Sequence, residues 1–140
     1  MLTNRSVPTS TVIPQIPYLD VAQAADWLRD VFGFTIRLTI GNHRIQMNVG
    51  NGAIVVVEPR GDGVSGPVID RAFPLVRVED VHRHCENARK HGARIIREPA
   101  DYPYGERQYT VEDLAGHIWS FSQSIADVLP EDWGGQSAAL

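Results

Sequence analysis

One order of elements, strand–helix–strand–strand–strand, is spelled twice in this chain, with an offset near 60 residues. In the first copy Val12 to Tyr18 reads as a short extended run. Pro14 and Pro17 cannot donate to a ladder, so this strand is irregular or lies at an edge. In the following segment, DVAQAADWLRDVFGF, the residues Val21, Ala24, Ala25, Leu28, Val31 and Phe32 recur at helical spacing and make one apolar face. Asp20 suits its N-cap and Gly33 its C-terminal stop. Thr35–Ile40, Arg44–Val49 and Ala53–Glu58 read as strands, with turn signals at Gly41-Asn42 and Gly50-Asn51-Gly52. The second copy runs from a strand at Ala72–Val78 into a helix that starts at Asp80 and closes at His91-Gly92. Val81, Cys85 and Ala88 form its inner face. Strands at Ala93–Arg97, Glu106–Glu112 and His117–Ser122 complete it, the last two joined by Asp113-Leu114-Ala115-Gly116. Asp20 and Asp80 hold the same place in each copy. A duplicated unit of this kind predicts an α+β fold with a pseudo-twofold, each sheet carrying a helix on one face and leaving the other to line a cleft.

Composition narrows the function classes. A chain of 140 residues with 43% hydrophobic and 21% charged side chains is long enough for a sizeable core and too hydrophobic to be disordered throughout. Thirteen Lys and Arg stand against seventeen Asp and Glu, with no basic run, so no nucleic-acid partner is expected. The single cysteine, Cys85, excludes an internal disulfide. No stretch approaches the ~20 apolar residues that span a bilayer. The opening MLTNRSVPTST lacks an apolar signal core, so no membrane association and a cytoplasmic location are expected.

LDVAQAADWLRDVFGF, together with YGERQYTVEDLAGHIWSF near the end, resembles the vicinal oxygen chelate superfamily of glyoxalases, bleomycin-resistance proteins and extradiol dioxygenases. The D-x-x-G-H turn before an apolar strand is its most specific part, and SIADVLPEDWGG resembles endings of bleomycin-resistance-like members. The resemblance implies two βαβββ modules forming a paired eight-stranded cup in a homodimer. Module one would span about 12–60, a breaker-rich linker 59–71, module two about 72–124 and a tail 125–140. In the metal-dependent enzymes of the family four inward side chains hold one divalent ion. Those positions fall here on Ile13, Glu58, Phe73 and Ser120. Only Glu58 is a competent ligand, because divalent ions need several oxygen or nitrogen donors. The expectation is therefore no metal, no cofactor and no metal-dependent glyoxalase or dioxygenase activity.

What remains is a cup for a small molecule. A four-residue turn at 113–116 would pair Tyr109 with Ser120 and Arg107 with Ser122, placing Arg107 and Tyr109 in the cup beside Ser120, with Trp119 and Phe121 turned to the helix. A three-residue turn at Gly50–Gly52 would pair Gln46 with Val56 and Arg44 with Glu58. Arg44, Gln46, Asn48 and Glu58 would then face the cup, and Val55 and Val57 the helix. Ile13, Phe73 and Tyr109 would supply apolar contact, while Arg107, Glu58 and Gln46 fix orientation. The leading expectation is reversible binding of a hydrophobic or aromatic compound such as an antibiotic. A lyase or isomerase with Glu58 as base and Arg107 stabilising an oxyanion is one alternative, and a dimeric interaction module another. Against Arg107 as an anchor stands a salt bridge to Glu58 or Glu112. His82 and His84, two apart on a helix, point in different directions and cannot share an ion. Trp133 either meets a partner chain or folds back on its own.

Overall fold

A computed structural model describes residues 2–59 and 73–137, in two compact units that divide at Arg71 and Ala72. Nearly all of the expected linker lies outside the described residues.

Unit 1 holds a four-stranded sheet in the order β1-β4-β3-β2, where β1 is Gln15–Pro17, β2 Thr35–Ile40, β3 Arg44–Val49 and β4 Gly52–Val57. The β1–β4 pair is parallel and the others antiparallel. Helix α1, Val21–Trp27, packs on β3 and β4 and begins where Asp20 accepts a 3.0 Å bond from the Gln23 amide. Its ladder then slips into a π-helical turn, Leu28–Phe32, which ends at Gly33 with φ +82°. Leu28, Val31 and Phe32 are all buried there, and Trp27 meets Phe32 edge-on at 5.0 Å.

The hairpin β3–β4 turns on two residues rather than three, since Val49 pairs with Gly52. Gly50, at φ +58°, takes the first turn position, a backbone glycine adopts at little cost. One residue fewer in the turn shifts every pair: Gln46 meets Val55 and Arg44 meets Val57. Val55 and Val57 therefore share the Gln46 face, contrary to expectation, and Ile45, Met47, Ile54 and Val56 share the other.

Unit 2 repeats the plan in the order β5-β8-β7-β6, with β5 Leu75–Arg77, β6 Arg94–Tyr102, β7 Glu106–Glu112 and β8 Ile118–Ser124. Helix α2, Val81–Lys90, is capped by Asp80, which accepts from the Arg83 amide at 3.0 Å, and buries Val81, Cys85 and Ala88 as its spacing predicts. Its first amide also donates to the Gln123 side chain at 2.9 Å. The core beneath α2 is Tyr109, Val111, Trp119 and Phe121, all without solvent exposure. After β8 the chain leaves through Ile125, whose amide bonds the Gly105 carbonyl at 2.8 Å, and ends in a 3-10 turn at Pro130–Trp133. No helix among the described residues is long and apolar enough to cross a membrane.

Candidate functional site

The β7–β8 turn decides which side chains leave the core. The Asp113 amide donates to the His117 carbonyl at 2.8 Å, so the loop proper is Leu114-Ala115-Gly116, with Gly116 at φ +86°. Below it Val111 pairs with Trp119, Tyr109 with Phe121, Gln108 with Ser122 and Thr110 with Ser120. The four-residue turn is thus corrected to three, and β7 presents its other face.

Tyr109 is consequently no cup residue. It is 0% exposed, its hydroxyl meets Nδ1 of His84 on α2, and its ring stacks on Phe121 at 5.4 Å. Burial pushes its phenol well above the usual tyrosine range. Arg107 pairs with Gln123 on the same α2 side and grips Asp101 through two bonds of 2.7 and 3.2 Å. That hydrogen-bonded ion pair raises the guanidinium's pKa and holds the Asp101 carboxyl below its ordinary range. The expected salt bridge exists, then, with a different acid. Glu58 lies one residue past β4, exposed, and the corrected register takes it off the Arg44 face.

Gln46 does stand on the face it was assigned. It is buried, its amide donating to the Ser6 carbonyl at 2.9 Å and accepting from Arg37. A bulge between Ile36 and Leu38 leaves Arg37 as the extra residue of β2, and its guanidinium also reaches the carbonyls of Arg5 and Val7. Both hydrogen-bonding ends of the Gln46 amide are thus used, the nitrogen by the N-terminal segment at Ser6 and the oxygen by Arg37 of β2. Ile13, half-buried, precedes β1 by two residues.

Phe73 and Ser120 meet in a concavity of about 250 Å³ on unit 2. Its apolar wall is Phe73, Ile96, Tyr102 and Ile118. Arg97, Gln108, Thr110 and Ser120 supply the polar groups. These rise from the sheet face opposite α2, where side chains bond one another in a ladder. Thr110 and Ser120 share a hydroxyl bond of 3.1 Å. Gln108 donates to the Ser122 hydroxyl at 3.1 Å, and that hydroxyl donates to Glu106 at 2.7 Å. Burial by itself would raise the Glu106 carboxyl. Bonds from Ser124 and Ser122 and the charge of Arg77 outweigh it and hold the group below its ordinary range.

Arg97 reaches this face through a bulge. Ile95 pairs with Val111 and Arg97 with Thr110, which leaves Ile96 as the extra residue. In a regular ladder Ile96 would oppose Thr110, and Arg97 would oppose Tyr109 on the α2 side. Arg97, Gln108 and Thr110 were not picked out by sequence reasoning. For Gln108 and Thr110 the alternation of β7 itself, with Tyr109 and Val111 as the apolar set, carried the signal.

The family's metal positions do not fit a divalent ion here. Gln15 lies opposite Val55 in the first sheet as Leu75 lies opposite Ser120 in the second. By position, Val55 and not Glu58 matches Ser120. The set becomes Ile13, Val55, Phe73 and Ser120, with one side-chain hydroxyl among them, and that hydroxyl is bonded to Thr110. Among the described residues no three His, Cys, Asp or Glu side chains are grouped to hold an ion.

A family model described as the Glyoxalase/Bleomycin resistance protein/Dioxygenase superfamily matches residues 12–121. The crystal structure of TioX from Micromonospora sp. ML1 is 30% identical, with a TM-score of 0.67 over 86% of this chain and 100% of that one. TnmS3 of Streptomyces sp. CB03234, described as an antibiotic binding protein, is 23% identical, with a TM-score of 0.66 over 84% of this chain and 98% of its own. A lactoylglutathione lyase from Agrobacterium tumefaciens is 16% identical, with a TM-score of 0.64 over 83% and 94%. These last two are likenesses of fold. No curated protein sequence matches. With most of its length covered by the family model, and a relative at 30% identity spanned from end to end, the chain belongs to the glyoxalase/bleomycin resistance protein/dioxygenase superfamily.

Proposed function

We propose that this protein binds a small, partly aromatic or hydrophobic molecule reversibly, without a metal, at the unit 2 concavity. One observation carries the reading. Phe73, Ile96, Tyr102 and Ile118 wall a space of about 250 Å³ whose floor offers an amide, two hydroxyls and a guanidinium. Ligand sites combine an apolar wall with a few placed polar groups in this way. Burying ~200 Å² of apolar ligand surface contributes about 5 kcal/mol before association costs, so the polar floor is needed for micromolar affinity. The antibiotic-binding description of TnmS3 supports an antibiotic as one such ligand. The same reading takes the chain as a cytoplasmic homodimer, which size-exclusion chromatography with light scattering tests.

The test of binding is a thermal-shift screen of hydrophobic antibiotics and simple aromatic compounds, followed by calorimetry on wild type and Gln108→Ala. A ligand that raises Tm and loses affinity in Gln108→Ala supports the reading. If no compound shifts Tm, or hits bind the variant equally well, the concavity is not the site.

A further inference from the structure

The geometry points to an aromatic anion as the ligand class of the unit 2 concavity, with Arg97 as the residue that selects its charge; this rests on the binding reading above. Among the lining residues Arg97 alone is charged, and no carboxylate lines the space. The chain as a whole carries a net charge of −4, so a cation at the site runs against the bulk composition.

Three other arginines of unit 2 are held by carboxylates. Arg107 is held by Asp101 at 2.7 Å, Arg94 lies 3.4 Å from Glu112, and Arg89 is paired with Glu86 and Glu98. Arg97 makes no ion pair among the described residues. Its hydrogen bond is a long one, 3.5 Å, to the Tyr102 hydroxyl, which neutralises nothing. The fork of donors on a guanidinium matches the oxygen pair of a carboxylate or sulfonate.

The neighbouring groups point the same way. The Gln108 carbonyl oxygen is taken by the Tyr104 hydroxyl at 3.3 Å, while its nitrogen keeps a second proton beyond the one given to Ser122. Thr110 and Ser120 bond each other, which leaves one hydroxyl hydrogen to donate. The floor is therefore richer in donors than in acceptors. Tyr102 gives the flat wall: Tyr104 stacks against it at 5.4 Å and 13°, and Trp133 packs on Tyr104 at 5.2 Å. A ring fixed from behind in this manner favours a planar partner, since little side-chain freedom is lost on stacking.

Two fluorescent probes with one ring system separate charge from shape: 1-anilinonaphthalene-8-sulfonate and its uncharged parent N-phenyl-1-naphthylamine. Wild type is expected to bind the sulfonate about tenfold more tightly than the parent, and less tightly as salt rises. Arg97→Gln should weaken the sulfonate by about tenfold and leave the parent within about twofold, while Arg83→Gln, outside the lining, changes neither. Tyr102→Ala should weaken both. Equal affinity for the two probes, or Arg97→Gln weakening both alike or neither, overturns the anion assignment while binding at the concavity stands. If neither probe binds, or Tyr102→Ala leaves both unchanged, the binding reading fails and the assignment with it.

Discussion

Asp113 and Trp119, both buried, are joined across the last turn by a 3.0 Å hydrogen bond from the indole Nε1 to Oδ2. The other carboxylate oxygen accepts from the amides of Ala115 at 2.9 Å and His117 at 3.0 Å. One side chain thus closes the loop and pins the largest core residue of unit 2. Asp113→Ala strands these donors and should cost about 2–4 kcal/mol, read as a lowered urea midpoint. An unchanged midpoint would show that the turn holds its shape without the carboxylate.

Tyr109 and Gln108 are adjacent in sequence and opposite in role. Tyr109→Phe removes the hydroxyl from His84 and should cost about 0.5–1.5 kcal/mol of stability, with ligand affinity unchanged. Gln108→Ala should do the reverse. Calorimetry and thermal denaturation on both variants check the pair, and a binding loss in Tyr109→Phe contradicts the observed register.

Gly105 sits at φ +82°, and a Cβ there would come within 2.5 Å of the Ala126 carbonyl and 3.1 Å of Val128 Cγ2. Gly105→Ala combines a left-handed backbone with a backbone clash and should cost about 2 kcal/mol or more. It should also free the 125–137 tail, giving faster chymotryptic cleavage after Trp133. A wild-type cleavage pattern would mean that the tail is held by other contacts.

Acid should act through Glu106. Its folded pKa lies below the model-compound value of 4.5, so the unfolded chain binds the proton more readily. The contribution is present in full above pH 4.5 and is lost as pH falls through the folded value. Glu106→Gln should flatten the acid limb of a stability–pH curve. Equal slopes for variant and wild type would count against the Ser122–Glu106–Ser124 arrangement.

Elements and caps were legible from residue types. Asp20, Asp80 and Gly33 act as their spacing predicts, and Val81, Cys85 and Ala88 are buried as a helical stripe requires. Facing was harder to read. In β4, Gly52–Val57, valines and isoleucine occupy both faces, so polarity gives no parity and the turn has to supply it. In β7 polarity did give it, since Tyr109 and Val111 alternate with Gln108 and Thr110, and the assumed turn length overrode that signal. Arg97 depended on the bulge at Ile96, in a strand whose register shifts again between Arg97 and Ala100, where Pro99 cannot donate to the ladder. Nothing in the local pattern fixed which residue would be extra.

The tight loop after β7 also carries an evolutionary implication. Strand parity is set by counting, so one codon inserted between Asp113 and His117 would invert a seven-residue strand. Arg107 and Tyr109 would turn outward and Gln108 and Thr110 would go under the helix. A descendant could acquire an unrelated ligand by such an indel, with every letter of the strand itself left untouched.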